Sequence, residues 1–304
     1  MHLQGKNHIQ AKILLDSVYT VTGARLTTFE IEYPRFILAE FNTHRMLSRN
    51  SASSRAIPIE KMHDLIRERP AQPIEWGINR AGMTAAAVLD LETSKYATQT
   101  WLEARDSALR YSDILKQFNI HKQVANRITE PFQLMKTVVS ATEWANLWYL
   151  RDHKDAQPEF RELAGIMHEL YRGSQPRPLR PEEWHLPYVP TARAANHTLV
   201  YLDEETGLEI DLQQAIRVSA SCCAQVSYRR TDTSLEKANK IYYQLIESKP
   251  AHASPVEHQA TPITQWDSIE TNGVTHQDKW GHLWSGNFRG WVQYRKTIPD
   301  EAKW

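Results

Sequence analysis

Cysteine is nearly absent from the 304 residues: Cys222 and Cys223 are the only two, and they are adjacent. Chain neighbours rarely have the geometry to bridge each other, so no disulfide framework is expected, and a reducing, cytoplasmic setting is. Long apolar runs are missing as well. No stretch approaches 18 apolar residues, and the N-terminal MHLQGKNHIQAKILL has no apolar leader core, so neither a membrane span nor a signal peptide is expected. An excess of one charge is also lacking. Lys+Arg and Asp+Glu are 36 each, which argues against nucleic-acid binding by bulk charge but allows a local basic pocket. Walker A, G-x-G-x-x-G and G-x-S-x-G motifs are absent. Asp152, His153 and Asp155 come nearest to a metal set, but no second His or carboxylate pair at ligand spacing supports them, and no metal is expected.

What is present is globular: 41% hydrophobic and 24% charged residues, over a length that suits one large domain or two ordinary ones. Residues 8–32 alternate and are β-branched, predicting a hairpin turned at Gly23. A helix start follows Pro34, and a Ser-rich run breaks it. A short helix is expected in IPIEKMHDLIRER. A long one is expected from about Thr84 to Phe118, with Leu89, Tyr96, Trp101, Ala104, Leu109 and Leu115 as core positions. KQVANRITEP is a further helical piece and FQLMKTVVSATEW a strand. PEFRELAGIMHELYRG is an amphipathic helix stopped by Gly173. The Pro-rich SQPRPLRPEEWHLPYVP reads as a boundary, and two more helices follow it. The pattern is α+β, with long helices on a small, mostly antiparallel sheet. Its expected organisation is a core over 1–175, a connector over 176–210 and a C-terminal segment over 211–304 packed into the same domain.

Three stretches can carry chemistry. NTHRMLSRNSASSR, residues 42–55, holds three arginines, a histidine and four serines. It is either a polar turn whose side chains cap their own backbone or an anion nest with Arg55 as a bidentate partner. In residues 140–160, Arg151 follows the apolar Trp144, Leu147, Trp148, Tyr149 and Leu150, as a snorkelling surface residue or an anion clamp. Arg127 in NRITEP has a similar setting. SPVEHQA supplies the lone His258, ordinarily a structural histidine. Cys222 and Cys223 read as core residues on a helix, not nucleophiles.

Taken together these stretches resemble the flavin-dependent thymidylate synthases. THRMLSRNSASSR is similar to the family signature, with His44, Arg45, Ser48, Asn50, Ser53 and Arg55 at the family spacing. NRITEP resembles a segment carrying a substrate-binding arginine, here Arg127. NLWYLRDHKDAQPEF resembles one that places Asn146 on flavin and Arg151 on the pyrimidine nucleotide. The chain departs from the family pattern at Thr43, where the first signature Arg belongs, at Ser51 and Ala56, and at Asp155, where a flavin-contacting His is expected. Glu40 stands where a nucleotide-contacting Gln is common. CCAQVSY, SPVEHQA and NFRGWVQYR, at the C-terminus, resemble elements that precede the signature in the family. They suggest a permutation with partial duplication, with His258 on the flavin side and Arg289, Gln293 and Arg295 near the signature.

The resemblance implies FAD-dependent transfer of a one-carbon unit from methylenetetrahydrofolate to C5 of dUMP, with NADPH as reductant and no enzymic cysteine. Arg151 would be the catalytic residue, stabilising negative charge on the pyrimidine. Ser53, Arg55, Arg127, Arg151 and Glu40 would hold the nucleotide; His44, Arg45, Ser48, Asn50, Asn146 and His258 would hold FAD. A homotetramer with sites between subunits is implied, without membrane or nucleic-acid partners. The altered signature keeps two other readings open: an enzyme that hydroxymethylates dUMP or modifies dCMP or another nucleotide for DNA modification, and a non-catalytic nucleotide-binding protein.

Overall fold

The computed structural model describes residues 1–85, 87–227 and 231–302. Tyr228, the last residue of the CCAQVSY segment, lies outside them. The fold is α+β. Its main sheet contains β1 (His2–Gln4), β2 (Gln10–Tyr19), β3 (Arg25–Pro34), β4 (Ser48–Ser51), β5 (Leu134–Ala141) and β6 (Arg177–Leu179), in the order β1-β2-β3-β5-β4. β6 pairs parallel with the C-terminal half of β2, and the other pairings are antiparallel. The predicted β2–β3 hairpin forms, and Gly23 takes φ +72 in its turn, a conformation that a side chain would strain.

Alternation along the strands assigns the two faces. Phe29, Ile31, Tyr33, Met135, Val139 and Ala141 point one way. They pack on Phe160, Leu163, Met167 and Leu170 of one helix and Trp144 and Leu147 before and within another. In chain order the helices are α1 (Leu38–Phe41), α2 (Ile59–Glu68), α3 (Leu91–Gln117), α4 (Lys122–Ala125), α5 (Ala145–Arg151), α6 (Pro158–Gly173), α7 (Leu212–Ala224) and α8 (Leu235–Tyr242). α6 begins with Pro158, where a missing N–H costs nothing, and lays its apolar stripe on the sheet. α7 starts with a reciprocal Asp211–Gln214 capping box.

Two expectations need correction. The long helix starts at Leu91 rather than near Thr84, because the Asp90 side chain accepts from the Thr93 N–H and caps it there. It buries only Ala108, Leu109 and Ser112; Tyr96 and Ala104 are exposed. The stretch 176–210, expected as a connector, contributes β6 to the sheet and places His185 in the interior.

The second face of the sheet is divided. At one end a row of hydroxyls crosses three strands and meets the C-terminal part of the chain. Ser17 bonds His185 Nδ1 (2.9 Å), His185 Nε2 bonds Thr28 (2.8 Å), Thr28 bonds Ser140 (2.6 Å), and Ser140 bonds His258 Nδ1 (2.8 Å). All five residues are fully buried. At the other end Lys12, Glu30, Glu32 and Lys136 line open clefts. No helix among the described residues is long and apolar enough to cross a membrane.

Candidate functional site

The Ser-rich run is neither a free loop nor wholly a turn. Residues 48–51 form the edge strand β4 against β5, with Ser48 opposite Ser140 and Asn50 opposite Val138. The β-branched β5 offers an unpaired edge, and pairing there needs only backbone groups, so serines serve. Alternation then sends Ser48 and Asn50 inward. Ser48 Oγ meets Asn287 (3.1–3.2 Å) and Gln293 (3.1 Å), and Asn50 donates to the Cys223 carbonyl (3.2 Å). These two residues, expected on flavin, are occupied in seating the C-terminal segment. His258 is sealed in the interior, its Nδ1 on Ser140, and presents no surface.

Before β4 lies the first cluster. The short α1 and the turn after it are closed by Arg49, whose Nη1 donates to the carbonyls of Phe41 (2.9 Å) and His44 (3.2 Å). Glu40 and His44 thereby face Arg151 at the end of α5. Arg151 Nε donates to His44 Nε2 (2.9 Å), and Nη1 donates to Glu40 (3.1 Å). The guanidinium lies 4.8 Å from the centroid of the Phe160 ring on α6. Burial pushes the His44 ring down to about 4, and the charges of Arg151 and Arg49 act the same way. His44 is therefore neutral at pH 7, with the proton on Nδ1 and Nε2 free to accept. Next to it Arg45 is exposed and without a carboxylate partner among the described residues, and Asn146 is exposed on α5.

The second cluster lies beyond β4. The Ser53 N–H donates to Ser227 (2.9 Å), and Asn126 donates to the carbonyls of Ser54 (2.8 Å) and Ile57 (3.0 Å), which fixes the loop. Glu130 Oε1 gathers Arg35 (2.9 Å), Arg127 (2.8 Å) and Ser54 (3.3 Å). Arg55 is exposed, and its side chain has no ion-pair partner among the described residues. No hydrogen bond or ion pair joins the two clusters among the described residues; β4 lies between them.

The structure thus brings Glu40, His44 and Arg151 together, and Ser53, Arg55 and Arg127 into a second group. Phe160, Arg35 and Glu130 escaped sequence reasoning. Glu130 carried a usable signal, since it stands three residues after Arg127, the spacing at which helical side chains meet. Arg35 and Phe160 carried none, because their approach is tertiary. The described residues contain no group of three metal-ligating side chains.

Known proteins can now be compared. Residues 7–177 match the model of the family described as thymidylate synthase complementing protein. The match spans more than half of the chain, and the chain belongs to this family, that of the flavin-dependent thymidylate synthases. Among solved structures, a UMP/dUMP methylase, PolB from Streptomyces cacaoi, is similar in two forms. The form bound with 5-Br dUMP is 16% identical with a TM-score of 0.40, over 48% of this chain and 66% of that one. The form bound with 5-Br UMP is 14% identical with a TM-score of 0.46, over 54% and 88%. The chain thus spans just under two thirds of the first of these structures. No curated protein sequence matches it.

Proposed function

We propose that the protein transfers a one-carbon unit from methylenetetrahydrofolate to C5 of dUMP, giving dTMP, with FAD bound and NADPH as reductant. The observation that supports this best is the fixed Arg151 guanidinium. Two of its three nitrogens are tied to His44 and Glu40, while Nη2 has no partner among the described residues. A donor held in this way can meet a pyrimidine carbonyl as negative charge develops, without reorganising. His44 must stay neutral for this, because a protonated ring cannot accept from Nε. Ser53, Arg55 and Arg127 would hold the nucleotide phosphate. Glu130 already divides its charge between Arg35 and Arg127, so Arg127 keeps a cationic outer side.

The donor set fits FAD in part. Arg45 and Asn146 are exposed and their side chains have no hydrogen-bond or ion-pair partner among the described residues, and His44 lies beside them; these would hold the cofactor, whereas Ser48, Asn50 and His258 are engaged in internal bonds. FAD, when bound, supplies redox and one-carbon-relay chemistry that no side chain provides. The two clusters stand apart within one chain, which agrees with a homotetramer whose sites form between subunits.

Glu40 favours a second reading. A carboxylate only accepts hydrogen bonds, whereas the amide common at this position also donates. It suits an exocyclic amino group, as in dCMP, better than a carbonyl. Incubating the protein with FAD, methylenetetrahydrofolate, NADPH and each nucleotide in turn, then weighing the products by mass spectrometry, decides between them. A +14 dalton product from dUMP supports the first reading. A product from dCMP alone, or a hydroxymethyl adduct, supports the second. Nucleotide binding with no product and no bound flavin leaves a non-catalytic nucleotide-binding protein.

A further inference from the structure

On the open end of the second sheet face, two clefts of about 680 and 1030 Å³ share Lys12, Glu30 and Lys136 as a common wall. The smaller is also lined by Lys61 of α2, by Arg69 just beyond its end and by Ala52, Ile57 and Leu134; the larger is also lined by Tyr188, Glu204 and Glu205. Neither cleft contains Arg151, Glu40 or His44.

The charges here are unevenly spent. Glu30 is bound by Lys136 (2.9 Å) and by the Tyr188 hydroxyl (2.8 Å). Glu32 is bound by Arg69 (2.7 Å) and by Gln10. Lys12 stands directly opposite Glu30 in the β2–β3 register, yet the contacts of Glu30, both on Oε2, go to Lys136 and Tyr188. Lys12 and Lys61 meet no carboxylate within ion-pair distance among the described residues. Tyr188 adds an independent sign. It lies between Pro187 and Pro190 with φ +70, a conformation that is an outlier for a bulky residue and that persists where the surroundings require it. Held there, its hydroxyl reaches Glu30 on the wall shared by both clefts.

We propose that this double cleft is a binding site for a dipolar small molecule. Its anionic end, a phosphate or a carboxylate, lies between Lys12 and Lys61, and its donor-bearing end lies toward Glu204 and Glu205. Burying one anion between two unpaired ammonium groups satisfies all three charges, while the neighbouring acidic wall rejects a second anion and accepts donors. The site does not depend on the one-carbon reading, because it uses none of those residues.

Lysine footprinting on the full chain tests it, with inorganic pyrophosphate and citrate as separate probes. Acetylation of each lysine is read by mass spectrometry. The expected result is that a saturating probe slows labelling of Lys12 and Lys61 roughly fivefold or more, and leaves Lys116, paired with Glu60, unchanged. Protection by pyrophosphate alone assigns a phosphate end, and protection by citrate alone assigns a carboxylate. By calorimetry, Lys12→Gln with Lys61→Gln weakens the protecting probe roughly tenfold or more, whereas Arg151→Ala does not. Lys12 is exposed and Lys61 half-buried, and circular dichroism verifies the fold of the double variant. Unslowed labelling with both probes, or unchanged affinity in the double variant, overturns the proposal.

Discussion

Replacing Ser140 by Ala tests how the C-terminal part of the chain is held to the sheet. The hydroxyl bonds Thr28 at 2.6 Å and His258 Nδ1 at 2.8 Å, with every atom buried. The opposite nitrogen of that ring, His258 Nε2, has no protein partner among the described residues. Removing the hydroxyl leaves the ring with no partner at either nitrogen and shortens the row that runs on through Thr28 and His185 to Ser17. Two net hydrogen bonds of about 1 kcal/mol each, plus the cost of stranding a buried ring nitrogen at about 1–3 kcal/mol, give roughly 3–5 kcal/mol. The cavity term is small, since a single oxygen is lost. For a chain of 304 residues that lowers Tm by roughly 5–8 °C. Scanning calorimetry and urea unfolding measure it, with the exposed Ser107→Ala as a control expected to stay within about 0.5 kcal/mol. A double-mutant cycle with His258→Leu is expected to show coupling of about 1 kcal/mol or more. A loss under about 0.5 kcal/mol, or strict additivity, refutes the reasoning.

Arg151→Ala leaves Glu40 and His44 without their shared cation; turnover is expected to vanish and dUMP to bind roughly 2–5 kcal/mol more weakly by calorimetry, and unchanged affinity counts against the assignment. Cys222→Ala is expected to retain turnover, and neither thiol to react with a disulfide reagent before unfolding, because burial pushes Cys222 up to about 12 and Cys223 well above its ordinary value; rapid native-state labelling would contradict this. Burial holds His258 down to about 3 and His185 well below 6.5. With lowered folded values, the unfolded chain takes up protons first, so stability is complete above about pH 6.5 and is lost as pH falls toward 3, at up to about 1.4 kcal/mol per ring per pH unit. Urea midpoints measured from pH 7.5 to 4.5 check the sign, and a flat profile would show that the two rings are not buried neutral. His44, down to about 4 by burial and by Arg151 and Arg49, predicts that nucleotide affinity also falls toward pH 4.

The elements most legible in the sequence are those whose information is local. The β2–β3 hairpin follows from alternation and Gly23, and α6 from its apolar period with Pro158 at its start and Gly173 at its end. The buried cysteines followed from their helical neighbours. The start of α3 was less legible, because Ala-rich residues 84–90 have helix propensity yet the Asp90 cap decides where the helix begins. β4 was illegible in principle: serine and asparagine carry little strand preference, and only the free edge of β5 makes a strand of them.

NTHRMLSRNSASSR by itself established which side chains are present and at what spacing, and with NRITEP and the stretch ending in Arg151 it pointed to the family to which the chain belongs. Which of those side chains face a ligand was decided by tertiary structure alone. Pairing with β5 turns Ser48 and Asn50 inward, the C-terminal segment seals His258, and the approach of α5 to α1 joins Arg151 to His44 and Glu40. The physical reason is that a side chain's direction along a strand is set by register, and register is set by a partner strand more than 80 residues away.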